Sequence, residues 1–117
     1  MNLSVLDLAF VGHGDTAADA LRGSVELGRR AESGGYQRVW YAEHHGMSMI
    51  ASSAPAVLIA HVAAHTQTIR LGSGGVMLPN HSPLAIAERL QAKRAAPPQR
   101  REGQRAGASV RASTSSR

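Results

Sequence analysis

A carboxylate and two imidazoles stand side by side at Glu43, His44 and His45, directly after the apolar run Val39–Ala42. Imidazole titrates near neutral pH, so a histidine next to a carboxylate suits acid–base catalysis or the stabilisation of an oxyanion. Neighbouring residues on an extended segment point to opposite sides, and the two histidines are therefore poorly placed to chelate one metal ion together. We expect one of them to act as a catalytic group.

Two further groups of residues could bind a ligand. His61 and His65 have the i, i+4 spacing of a metal pair on a helix, but no third ligand accompanies them, so we favour a partly exposed helix face and assign no metal. Gly72–Gly75 lacks the lysine of a P-loop and the full spacing of a dinucleotide fingerprint. Glycines within a buried strand instead indicate a bulge or the close approach of a flat or large group.

The elements that must position these residues alternate between strand and helix. The patterns predict strands over Leu3–Val11, from Arg38 or Val39 through the apolar run, and over Thr68–Leu78, with helices that start at Asp15 or Thr16, at Ser52–Pro55 and at Ser82–Pro83. Gly34 and Gly35 are expected to end the first helix. The order β-α-β-α-β-α, in units of about thirty residues, predicts an α/β fold with a parallel sheet and packed helices. The continuous apolar run indicates that the second strand is buried on both faces.

The polar residues that follow the second strand have a structural explanation. In parallel α/β folds the functional residues gather at the carboxyl ends of the strands, where the loops into the next helix begin. We therefore expect Glu43, His44 and His45 to lie at that end of the sheet. His44 and Gly74 should lie at the same edge.

Composition excludes several classes of protein. The 117 residues are 43% hydrophobic and include no cysteine, which excludes disulfides and thiolate chemistry. The N-terminal residues lack the basic region of a signal peptide, and the longest apolar run, Ala54–Ala60, is too short to span a bilayer. These features predict a cytoplasmic protein that does not enter a membrane.

The positive charge is confined to one end of the chain. Residues 1–91 hold six arginines and seven carboxylates, whereas residues 92–117 hold seven basic residues and Glu102 alone. We predict a folded domain over 3–91 and a disordered basic tail over 92–117. Such a tail suggests an alternative function, a non-enzymatic fragment that binds nucleic acid, but the tail has no aromatic residue to stack on bases and a solvated tail is favoured.

Three stretches together resemble the bacterial luciferase-like, flavin-dependent monooxygenase family. They are the opening LSVLDLAFVGHGDTAADAL (residues 3–21), YAEHHGM (residues 41–47) and the segment from Ala51 to Leu90 that contains LGSGGVMLPNHSP. The resemblance covers about residues 3–90. Its Glu-His-His and Leu-Pro-Asn-His-Ser-Pro elements occur in the family's order and spacing.

The resemblance implies a (β/α)8 TIM barrel that binds reduced FMN at the carboxyl end of its strands. It implies that His44 lies beside the flavin as the catalytic residue and that Glu43, Ser73, Gly74 and Gly75 contact the cofactor, with a cis, bulged peptide between Gly74 and Gly75. The implied reaction is that of an oxidoreductase acting with molecular oxygen on a small organic substrate. Implied partners are a flavin reductase and a second copy of the chain, paired through helices two and three.

The chain departs from the family after Leu90. A barrel of this kind needs about 250 residues, and this sequence provides three of eight βα units. The strands that hold the flavin phosphate, and the later loops that contact substrate, belong to the part of the family pattern that is not matched. We therefore expect a truncated or frameshifted reading frame, whose product is inactive or incomplete and whose substrate the sequence does not identify.

Overall fold

Three parallel strands alternate with three helices along residues 2–94, the part of the chain that the computed structural model describes. In chain order the elements are β1 (Ser4–Asp7), α1 (Ala17–Ser33), β2 (Arg38–Tyr41), α2 (Pro55–Ala63), β3 (Arg70–Ser73), a short 3-10 turn (Leu78–Asn80) and α3 (Pro83–Arg94). The strand order is β1-β2-β3, and both strand pairs are parallel. The predicted α/β fold with alternating elements is confirmed.

The ends of α1 follow from short-range hydrogen bonds. The backbone N–H of Thr16 donates to Asp19 Oδ2 at 2.8 Å, and the backbone N–H of Asp19 donates back to Thr16 Oγ1 at 3.3 Å, which forms a capping box. At the other end Gly34 caps the helix, and Gly35 has a φ of +75°, a left-handed conformation that glycine adopts without steric cost. Both predicted ends of this helix are therefore confirmed.

Helices α1 and α2 cover one face of the sheet. The buried apolar core on this face consists of Ala9, Ala31, Val39, Tyr41, Leu58, Val62, Ile69 and Leu71. Along β2, Val39 and Tyr41 are fully buried, whereas Arg38 and Trp40, which point to the other face, are only partly buried. The expectation that β2 is buried on both faces is thus wrong for the described residues, because α1 and α2 supply the helical contacts of this strand from one side.

A carboxylate from α1 holds the chain that leads into β3. Glu32 accepts hydrogen bonds from the backbone N–H groups of Gln67 at 2.9 Å and Ile69 at 2.8 Å, and a further one from Thr68. Partial burial by itself would raise the pKa of Glu32, but the N–H groups of Thr68, Ile69 and Gln67 outweigh it and lower the pKa below its ordinary value. Glu32 therefore anchors the amino edge of the sheet as an anion.

Two strands are shorter than predicted. Instead of Leu3–Val11, β1 ends at Asp7, whose Oδ1 accepts the N–H of Ala9 at 2.8 Å, and Ala9 has a φ of +49° that turns the chain out of the strand. Instead of Thr68–Leu78, β3 ends at Ser73 and the glycine-containing residues that follow form a loop. Local turns thus end both strands where apolar patterning suggested that they continue.

The last predicted segment falls mostly beyond the described residues. Helix α3 reaches Arg94, three residues past the predicted domain limit. The rest of the predicted basic tail, and the nucleic-acid alternative that depends on it, lie outside residues 2–94. Within those residues no helix combines the length and apolarity that crossing a membrane requires.

Two glycines of α1 provide a matched test of the helix packing. A Cβ on Gly28 would lie 2.8 Å from Val62 Cγ1, whereas a Cβ on Gly23 would meet no atom within 4 Å. We predict that Gly28→Ala lowers the free energy of unfolding by about 1–2 kcal/mol, since overpacking exceeds the gain in helix propensity. Gly23→Ala should raise it by about 0.5–1 kcal/mol. Urea unfolding followed by far-UV circular dichroism measures both, and stabilisation by both alanines would contradict the close contact between α1 and α2.

Candidate functional site

Glu43 joins the loops that follow β2 and β3. Its side chain is only 1% exposed, and Oε1 lies 2.8 Å from His45 Nε2 and 2.6 Å from His81 Nε2. The other oxygen, Oε2, accepts the backbone N–H of Met77 at 3.0 Å. We refer to Glu43, His45, Met77 and His81 as the Glu43 cluster.

The Glu43 carboxyl is ionised in the folded chain. Burial by itself would raise the pKa of Glu43, but hydrogen bonds from His45, the Met77 backbone and His81 outweigh it and lower the pKa to about 2. A carboxylate with this pKa accepts hydrogen bonds throughout the physiological pH range and does not serve as a proton donor. Its role in the cluster is therefore to orient the imidazoles that donate to it.

The cluster continues to α3 through His81. Arg89 Nη1 lies 3.3 Å from His81 Nδ1, and a guanidinium can only donate, so this ring nitrogen accepts. This contact places the ring hydrogen of His81 on Nε2, which donates to Glu43. An exposed residue of α3 thus fixes the tautomer of a histidine that contacts the buried carboxylate.

His44 lies at the carboxyl edge of the sheet, as expected. It is half-buried, and its backbone N–H donates to the carbonyl of the buried Ser52 at 3.3 Å, which ties together the two ends of the loop after β2. The backbone N–H of Gly74 donates to the carbonyl of Tyr41, the last residue of β2, at 2.8 Å. The prediction that His44 and Gly74 share one edge of the sheet is confirmed.

The loop after β1 reaches the same edge. Phe10 and Ile50 form an antiparallel bridge, and the backbone N–H of Val11 donates to the Met49 carbonyl at 2.9 Å. Phe10 and Met49 are 62% and 60% exposed, so apolar side chains surround this edge of the sheet. The loop after β2 thus contacts the loop after β1 through Met49 and Ile50, and the loop after β3 through Glu43.

An open groove lies on the face of the sheet opposite the helices. It has a volume of about 280 Å³ and is lined by Leu6, Trp40 and Gly74. The Trp40 ring lies across Gly72, where a Cβ would be 2.7 Å from ring carbon Cζ3, and the Arg38 guanidinium lies 4.5 Å from the ring centroid. The missing side chains of the two glycines thus make room for the indole and for a group beside it.

The backbone from Ser73 to Gly75 lacks the cis peptide bond that the family resemblance implies. Every peptide bond in the described residues is trans, so the cis bond expected between Gly74 and Gly75 is absent from this structure. A non-proline cis bond costs about 3 kcal/mol and requires surrounding structure to enforce it, whereas a Cβ on Gly75 would meet no atom within 4 Å. The Ser73 hydroxyl instead donates to the Gly75 carbonyl.

Several residues of the site were not identified from the sequence: Leu6 and Trp40 of the groove, and Met77, His81 and Arg89 around Glu43. His81 lies 38 positions from Glu43, and Arg89 lies a further eight positions along the chain. Two signals were available for His81. It belongs to the Leu-Pro-Asn-His-Ser-Pro element, and it lies in the loop after the third strand, immediately before the predicted helix start at Ser82–Pro83. Ser82 does cap α3, since its hydroxyl accepts the N–H of Ala85 at 3.2 Å.

Comparison with known proteins identifies relatives in sequence and in structure. The sequence profile described as luciferase-like monooxygenase matches residues 1–91. A luciferase-like monooxygenase of Escherichia coli K12 is 58% identical over 87 residues, which are 74% of this chain and 26% of that protein. The N-acetyl-S-alkylcysteine monooxygenase of Bacillus subtilis is 50% identical over 90 residues, which are 77% of this chain and 27% of that protein.

A solved structure resembles the chain in the same region. The crystal structure of apo-MsnO8 superposes with a TM-score of 0.80 at 47% sequence identity, covering 85% of this chain and 30% of that one. The chain spans about a quarter of the length of the curated relatives named above. The similarity therefore covers only about a quarter to a third of each of those proteins.

The ionised state of Glu43 predicts a pH-dependent stability. Since its pKa of about 2 in the folded chain lies below the ordinary 4.5, Glu43 contributes stability above pH 4.5 that is lost as the pH falls towards 2. We predict that Glu43→Gln lowers the free energy of unfolding by about 3 kcal/mol near neutral pH, and that this deficit shrinks steadily as the pH falls from about 5 to about 2.

Urea unfolding at a series of pH values measures this deficit. Glu88→Gln, on the exposed surface of α3, is the matched control and should change stability by less than about 0.5 kcal/mol. A deficit for Glu43→Gln that stays constant with pH would contradict a buried, ionised Glu43.

Proposed function

Since the chain belongs to the luciferase-like monooxygenase family, we propose that it forms part of a flavin-dependent oxidoreductase site. The proposed reaction uses reduced FMN and molecular oxygen to oxidise a small organic substrate. Because the chain spans about a quarter of its curated relatives, it would supply the first three βα units of this site. The proposal assigns the flavin-facing residues within those units.

The observation that carries the proposal is the groove on the face of the sheet opposite α1 and α2. Its lining, formed by Leu6, Trp40 and Gly74, is apolar and aromatic, and Gly74 is the first residue of the loop after β3. Glycine at 72 and 74 lets a flat ring system approach the backbone of β3, as glycines in strand interiors often do. These residues fit an isoalloxazine ring, which when bound as reduced FMN supplies the electrons for the reaction with oxygen.

We assign different roles to His44, to Glu43 and to the backbone from Ser73 to Gly75. His44, half-buried and held by its backbone bond to Ser52, would hold or transfer a proton at its imidazole. Glu43 remains an anion and orients its neighbours in the cluster, so its contribution is positioning and electrostatic. The backbone from Ser73 to Gly75 would line the edge of the ring system.

The proposed partners follow from the chemistry and from exposed surfaces. A flavin reductase would supply the reduced cofactor, and we propose that the reaction takes place in the cytoplasm. Pairing with a second copy through α2 and α3 is supported by α2, whose outer face exposes Ala56, Val57 and Ala60. The outer face of α3 is mixed, with Leu84 68% exposed and Glu88 also exposed.

The single tryptophan of the chain tests the proposed flavin site. Trp40 lines the groove, so flavin bound there should quench its fluorescence in a saturable way when reduced FMN is added without oxygen. Gly74→Val fills the groove, since a Cβ at that position already lies 3.2 Å from Leu6 Cδ1, and should raise the dissociation constant at least about tenfold.

Gly23→Ala, in the open part of α1, is the control and should leave the quenching unchanged. Circular dichroism establishes that each variant retains its helices. Quenching that does not saturate, or that is equal in Gly74→Val and the unchanged chain, would overturn the assignment of the groove to flavin.

A further inference from the structure

Two imidazoles lie next to each other at the carboxyl-terminal end of α2, away from the Glu43 cluster. His61 and His65 are both exposed, and their ring centroids are 4.9 Å apart. His65 Nδ1 lies 2.8 Å from the backbone carbonyl oxygen of His61. A carbonyl only accepts, so His65 carries its hydrogen on Nδ1 and leaves Nε2 with a free lone pair.

The separation of the rings fits joint coordination of one metal ion. With a metal–nitrogen distance of about 2.0–2.1 Å, each ring centroid lies about 3.2 Å from the metal. Two imidazoles at angles between square-planar and tetrahedral then have centroids about 4.5–5.2 Å apart. The observed separation of 4.9 Å falls within this range.

We propose that His61 and His65 form a two-imidazole site for a divalent late transition-metal ion. Imidazole suits copper, nickel and zinc, and the order of stability among such ions places Cu²⁺ first. Metal-bound histidines commonly donate their second ring N–H to a backbone carbonyl, which is the bond that His65 already makes. From sequence spacing alone, an exposed helix face without a metal was the simpler interpretation. The hydrogen bond of His65 and the separation of the two rings now favour a metal site.

The surroundings of the two histidines favour a bound cation. They leave the other coordination positions of the ion open to water. The carboxyl-terminal end of a helix carries partial negative charge, and His61 lies in the last turn of α2. The small, exposed side chains of Ala60 and Ala64 leave the rings accessible. Within residues 2–94 no group of three or more His, Cys, Asp or Glu side chains is arranged to hold a metal, so the bound ion would keep open, exchangeable positions.

Calorimetric titration of the untagged 117-residue chain with Cu²⁺ in a non-coordinating buffer tests the site. We expect one ion per chain. His61→Gln should weaken binding at least about 100-fold, because loss of one ring removes the chelate. This variant keeps the hydrogen bond of His65, whose acceptor is a backbone atom, and His13→Gln, in the exposed loop after β1, is the matched control that should bind like the unchanged chain.

Nuclear magnetic resonance of the unchanged chain gives a second measurement that does not depend on a variant. Substoichiometric Cu²⁺ should broaden the ring signals of His61 and His65 before those of any other histidine. Equal affinity in His61→Gln, or earlier broadening of His45 and His81, would show that the ion binds elsewhere and would overturn the proposal.

Discussion

One buried carboxylate holds together the loops at the carboxyl-terminal ends of β2 and β3. Glu43 accepts hydrogen bonds from a side chain of its own loop, and from a backbone N–H and a side chain of the loop after β3. Burial of an unpaired charge is costly, so the loops must close around the carboxylate for the folded state to be stable. Through His81 the same arrangement reaches Arg89, which couples α3 to the loops although the sheet itself ends at Ser73.

The two edges of the sheet are held by the same kind of interaction. At the amino edge Glu32 accepts backbone N–H groups of the chain entering β3, and at the carboxyl edge Glu43 accepts one from the chain leaving it. Between these anchors the helical face is closed by apolar packing, whereas the other face carries Trp40 and glycines. The core therefore lies on the face that the helices cover. The groove lies on the other face, where glycines leave space beside Trp40.

Much of the fold follows from local sequence signals. The capping box of Thr16 and Asp19, the glycines after α1 and the Ser82–Pro83 start of α3 are each made by residues within a few positions, so their types predict the structure. Strand lengths were predicted less well, because apolar residues continue past the turns at Ala9 and Gly74. Periodicity does not register a backbone turn made by an alanine with positive φ.

Residue types predict the α/β order and the placement of Glu43, His44 and Gly74 at one edge of the sheet, because both depend on where strands end. The family follows from the sequence motifs. The hydrogen bonds from His45 and His81 to Glu43, and the contact of Trp40 with Gly72, were not predictable from residue types and depend on the folded arrangement of the loops and strands. Glu43 and His81 lie 38 positions apart. Their contact depends on how the loops after two parallel strands pack against each other. A local pattern of residue types carries no information about that packing.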